Sequence, residues 1–130
     1  MKKITVQPLV GFDNVTFGME RKKIRELLTG FKRGFQKSPL FPQETDDFGY
    51  CHVYYDTNDK CEAVEFFTEV EIQINGQKVS PGKVEPIKKI MPDLIEEEDG
   101  FWISKSCSIG ITAPEGTIET ILLGCPNYYN

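Results

Sequence analysis

One histidine, His52, and four cysteines, at positions 51, 61, 107 and 125, are all the 130-residue chain offers for imidazole, thiol or zinc chemistry. Nucleophilic catalysis needs a serine or cysteine beside a base. Cys51 and His52 are neighbours on a strand-like run, so their side chains point to opposite faces and do not pair. Cys61 shares a face with His52 and is expected to close a turn at the surface. Structural zinc sites space their cysteines by about two to four residues, whereas nine separate Cys51 from Cys61. Without a dense cysteine framework, the four thiols are expected to be free and mostly buried.

Positive charge is short as well. Fifteen Lys and Arg face twenty Asp and Glu, a net charge of −5, which disfavours nucleic acid because binding a phosphate backbone needs a positive surface. A basic protein partner suits this balance better. The runs Arg21-Lys22-Lys23 and Lys32-Arg33 read as solvated helix surface. No stretch approaches the ~18–20 apolar residues of a membrane span. Met1-Lys2-Lys3-Ile4-Thr5 leads into alternation rather than an apolar signal core, so the expected compartment is the cytoplasm.

Cation loops and cofactor motifs are also missing. Carboxylates pair at Asp46-Asp47, Asp56…Asp59 and Glu96-Glu97-Glu98-Asp99. The run from Asp56 lacks the central glycine of a calcium loop, and Phe67 stands where its closing glutamate belongs; it reads as a turn. Phosphate loops, dinucleotide-binding glycines and nucleophile elbows do not occur. The expectation is a protein that is not an enzyme and carries no cofactor or metal.

What is present is a folded chain, 39% hydrophobic and 12% aromatic, too rich in large side chains to stay disordered. It is read as one domain, 1–130, with an internal repeat over about 17–67 and 83–123. Each copy is a helix followed by a hairpin. In the first copy, Ile24, Leu27 and Leu28 form an apolar stripe over a helix at 19–29, closed by Gly30. The run 51–55 then turns through Asn58-Asp59 into 62–67. In the second, Ile87, Ile90 and Met91 mark a helix with Val84 and Leu94 on its core face, opened at Pro86 and stopped by Pro92. The run 107–111 then turns through Ala113-Pro114-Glu115-Gly116 into 118–123. The hairpins align without a gap, Cys51 on Cys107, Val53 on Ile109, Tyr55 on Ile111 and Phe66 on Leu122.

Around the repeats, Lys3-Ile4-Thr5-Val6 reads as an opening strand. The strict alternation 69–74 is a strand that turns at Asn75-Gly76, a type I′ signal, into Gln77-Lys78-Val79. Residues 31–47, with Phe31, Phe35, Leu40 and Phe41 among Gly34, Pro39 and Pro42, read as a long connector, packed back on the body or used for recognition. An acidic run 95–99 and a strand 101–104 precede the second hairpin.

The motif Phe17-Gly18-Met19-Glu20-Arg21-Lys22-Lys23-Ile24-Arg25-Glu26-Leu27-Leu28-Thr29-Gly30, followed by Val53-Tyr54-Tyr55-Asp56-Thr57-Asn58-Asp59-Lys60, resembles the tandem helix-and-hairpin repeat of the beta-lactamase inhibitor protein family and of small outer-membrane assembly lipoproteins of the SmpA/OmlA type. Phe31 stands where a proline often follows the closing glycine in those families. The resemblance implies an α+β fold, an antiparallel sheet with two helices on one face. It also implies protein binding through the open face of that sheet. The layout is similar to that of small bacterial proteins suspected of being toxin immunity proteins, a likeness of fold only.

The first hairpin is expected to turn Cys51, Val53, Tyr55, Val64 and Phe66 inward and His52, Tyr54, Ala63, Glu65 and Phe67 outward. Aromatic anchors ringed by charge mark interface centres, so the candidate partner surface is Asp46, Asp47, Tyr50, Tyr54, Glu65 and Phe67. The expected function is a protein-binding module, an immunity or inhibitor protein using this acidic, aromatic face or the 31–47 loop. The alternative is a small-ligand-binding or envelope-associated module using a cleft between the repeats.

Overall fold

The computed structural model describes residues 1–130, apart from the side chains of Lys37 and Phe41. It overturns the α+β expectation: the chain is 48% strand and 12% helical, in two sheets with one α-helix. Strands β1 (Lys2–Gln7), β2 (Gly11–Phe12) and β3 (Val15–Thr16) lead to helix α1 (Arg21–Leu27). Then follow β4 (Arg33–Ser38), β5 (Phe41–Asp47), β6 (Cys51–Tyr55), β7 (Cys61–Phe66), β8 (Val70–Ile74) and β9 (Gln77–Ser80). A 3₁₀ turn (Glu85–Lys89) precedes β10 (Ile95–Glu98), β11 (Phe101–Ser104) and β12 (Ile109–Thr112), and a second (Pro114–Gly116) precedes β13 (Thr120–Gly124).

The small sheet runs β3-β2-β1-β8-β9, with β1 and β8 parallel. The large sheet runs β10-β11-β12-β13-β7-β6-β5-β4. Its two halves are four-stranded meanders that meet where β13 lies antiparallel to β7, Ile121 opposite Phe66 and Leu123 opposite Val64. One core joins the sheets, and Phe12 of the small sheet meets Phe66 of the large one edge to face at 4.9 Å.

The turn at Asn75-Gly76 forms as its sequence requires, with φ of 52° and 77°, both left-handed, the conformation a type I′ hairpin demands. Four other local expectations are corrected. Helix α1 is shorter than 19–29: Leu28 is already extended (φ −96°, ψ 138°). Ile24 is its only buried residue, and Leu27 is 38% exposed. The second helix is only the 3₁₀ turn at Glu85–Lys89. Pro92 biases Met91 away from the α region, and Pro86 supplies no amide hydrogen, so too few residues remain between them for a stable α-helix. Val84, Ile87, Met91 and Leu94 are nonetheless buried.

Residues 33–47 form the hairpin β4–β5, not a connector, joined through Pro39 and Leu40 with Ser38 opposite Phe41. The register of the second hairpin also departs from that of the first. Val53 faces Val64, but Ile109 faces Leu123 rather than Thr120. The three-residue slip is odd, so it exchanges faces: Leu123 is buried and Leu122 half-buried on the opposite side, although Leu122 aligns with the buried Phe66. The extra length lies in the 3₁₀ turn at Pro114–Gly116 and in Ile118, which is buried.

Candidate functional site

Register across the large sheet defines its outer face. One row crosses all its strands: Arg33, Asp47, His52, Glu65, Leu122, Gly110, Ile103 and Ile95. The adjacent row, with Asp46, Val53, Val64, Leu123 and Ile109, is buried and faces the core.

Aromatic rings flank the outer row. His52 stands between Phe35 and Phe67, meeting them edge to face at centroid distances of 5.2 and 4.8 Å. The Tyr54 hydroxyl donates to Glu65 Oε1 at 2.6 Å; burial first, and this hydrogen bond second, push its pKa far up. At the other half, Tyr128 and Tyr129 meet at 5.2 Å and Tyr129 meets Phe101 at 6.4 Å. The strand glycines make room for them. A methyl group added at Gly110 would collide with the Tyr129 hydroxyl, and one at Gly124 with the Tyr128 side chain. Phe35, His52, Tyr54, Phe67, Phe101, Tyr128 and Tyr129 are all half-buried.

Of the residues expected from sequence, Asp47, Tyr54, Glu65 and Phe67 gather on this face. Asp47 accepts from the Gly49 amide at 2.8 Å and lies 3.5 Å from His52 Nε2 and 3.8 Å from Arg33 Nε. The structure takes Asp46 and Tyr50 elsewhere. Tyr50 lies beneath the Lys2 ammonium, 4.7 Å from the ring centroid, and its buried hydroxyl has no hydrogen-bond partner among the described residues.

Asp46 is fully buried on the inner side, where it accepts from Arg21 Nη1 at 2.8 Å, from Arg25 Nη2 and Nε at 2.7 and 2.9 Å, and from the Tyr55 hydroxyl at 3.0 Å. It ties α1 to the β4–β5 hairpin. Cys61, expected at the surface, is buried too. Sequence reasoning missed Phe101, Tyr128 and Tyr129, and placed Phe35 in the separate 31–47 loop rather than on this face. The available signal was the lone glycines 110 and 124 inside strand-like runs, which mark close approach by another group.

His52 is packed between two phenyl rings, and Cys51, on the inner side, is a buried thiol whose pKa burial pushes up to about 12. Among the described residues no three His, Cys, Asp or Glu cluster in a way that could hold a metal ion. No helix is long and apolar enough to cross a membrane. The two halves meet along the hydrogen-bonded β7–β13 ladder. Compared with known proteins, the chain matches no family model, no curated protein and no solved structure.

Proposed function

We propose that the protein is a non-catalytic protein-binding module that engages a basic partner through the outer face of the large sheet, in the manner of an inhibitor or immunity protein. The row Phe35–His52–Phe67 carries this reading. A sheet face that merely meets water is normally polar, whereas here aromatic and aliphatic side chains alternate with Asp47 and Glu65. Rings half out of water and surrounded by charge have the composition of an interface centre with its rim.

Charge favours a basic partner. The net charge is −5, and the edge strand β10 presents Glu96, Glu97 and Glu98, all exposed. An acidic surface steers a basic protein toward encounter and makes association sensitive to salt. The β4–β5 hairpin offers a second contact, since Leu40 at its tip is 88% exposed.

The test is capture of partners on the tagged protein in its own host at low and moderate salt, with a charge-reversed variant of β10 as control. A stoichiometric basic protein, retained at low salt and released as salt rises, supports the proposal. Recovery of no stoichiometric protein under either condition contradicts it.

A further inference from the structure

Aromatic rings that reach the surface of this protein are repeatedly covered by its own cations. Arg25 lies 4.3 Å from the centroid of Phe31, Arg33 5.4 Å from Phe35, Lys88 4.7 Å from Trp102 and Lys2 4.7 Å from Tyr50. Phe67 is different. Its described ring contact is the edge of His52, and no Lys or Arg among the described residues lies over it.

Beside it lies a shallow, open pocket lined by Gly49, Phe67, Thr68, Glu69, Glu119 and Thr120. Glu69, just beyond β7, and Glu119, just before β13, are exposed, and neither pairs with a cation among the described residues. The pocket therefore sits at the end of the two central strands of the large sheet, where the aromatic row reaches the seam between its halves.

We infer that this pocket receives an arginine side chain of the partner, its guanidinium stacked on Phe67 and bonded to Glu69 and Glu119. The inference rests on the protein-binding reading above and identifies the anchor of that contact. The chemistry favours arginine over lysine. A planar guanidinium stacks on a ring and donates to separate carboxylates at once, whereas an ammonium is a compact, strongly hydrated point charge. One native cation stands at the rim. The end of the Lys32 side chain lies against Gly49, within 3.5 Å of where a Cβ would be, and forms no ion pair among the described residues. It lowers the pocket's attraction for a cation without filling it.

The experiment is an amide-resolved NMR titration of the isotope-labelled protein with argininamide at low salt, with citrullinamide as the neutral side-chain control. Saturable shifts confined to Gly49, Phe67, Thr68, Glu69, Glu119 and Thr120, with a Kd of the order of millimolar, are expected with argininamide alone. Glu69→Gln with Glu119→Gln is expected to weaken binding at least fivefold, and Lys32→Gln to strengthen it about twofold. Both glutamates are exposed, so an unchanged spectrum of the free variant confirms its fold. Equal shifts along Glu96–Glu98, an equal response to citrullinamide, or an unaltered Kd in the glutamine variant would each overturn the inference. If a captured partner binds the glutamine variant normally yet loses affinity for Phe35→Ala, the pocket assignment fails while the protein-binding reading stands. An argininamide site in a protein that captures no partner gives the reverse result.

Discussion

Arg21 and Asp46 meet at 2.8 Å across the inner side of the large sheet, with the carboxylate wholly removed from water and Arg25 and Tyr55 donating to its remaining lone pairs. This contact fastens the only α-helix to the β4–β5 hairpin that carries Phe35 and Leu40. Taking away one member of a buried ionic set leaves the others unpaired, which costs several kcal/mol. Because Arg25 is partly solvated, the expected loss for Asp46→Ala is about 3 kcal/mol. Urea unfolding measures it as a lowered midpoint at unchanged slope. A loss below about 1 kcal/mol, the size of an exposed pair, would show that the Asp46 cluster does little to hold α1.

Acid should loosen the same attachment from its outer end. Arg21 donates to Asp59 at 2.7 and 2.9 Å, and this hydrogen bond holds the Asp59 carboxyl below its ordinary pKa. A lowered folded pKa contributes stability that is fully present above the unfolded value of about 3.9 and disappears as pH falls through the folded value. Between pH 6 and pH 3, Asp59→Asn should therefore lose less stability than the wild type. Part of the acid sensitivity will persist, because Asp93 is also lowered, first by the Ser104 hydroxyl. Identical pH profiles for variant and wild type would remove Asp59 from the account.

The thiols should react in two classes. Cys51 and Cys61 are buried and pushed up to about 12 by desolvation, whereas Cys107 and Cys125 are partly exposed. The thiolate is the reactive form. A thiol-disulfide reagent at pH 8 should modify two sites promptly and the other two only on unfolding; four equal rates would contradict the burial described.

Two glycine substitutions should differ in severity. At Gly124 a new methyl meets Tyr128 at its Cβ and ring root, close to the backbone, so Gly124→Ala should cost about 1–3 kcal/mol and lift Tyr128 off the sheet. At Gly110 the obstacle is the far end of the Tyr129 side chain rather than its root, so a smaller adjustment relieves it and Gly110→Ala should cost less. Thermal unfolding with tyrosine fluorescence reads both effects, and a greater loss at Gly110 would reverse the assignment.

Much of both sheets was legible because their pattern is local. Alternation over 51–55 and 70–74 matches the observed burial, and the Asn75-Gly76 turn follows from which residues tolerate left-handed φ. The apolar positions Val84, Ile87, Met91 and Leu94 were identified, but their spacing fits a tight 3₁₀ turn as well as a helix, and the prolines decided between them. The β4–β5 hairpin was obscured by Gly34, Pro39 and Pro42, which punctuate a strand as they would a loop.

Asp46 was misplaced for a different reason. Its burial depends on two arginines from a helix more than twenty residues earlier, a pairing no local pattern carries. The outer face was half legible. His52, Tyr54, Glu65 and Phe67 follow from strand parity, while Phe35, Tyr128 and Tyr129 arrive from distant segments by packing.

The central claim is that the outer aromatic face is where a partner binds. Its most direct test is calorimetric titration of the purified partner against the wild type and against Phe35→Ala with Phe67→Ala, alongside unfolding of the free proteins. The account predicts an affinity loss of tenfold or more, as truncating interface anchors produces, with a cooperative unfolding transition retained. Undiminished affinity in a folded double variant would contradict it and place the binding surface elsewhere on the molecule.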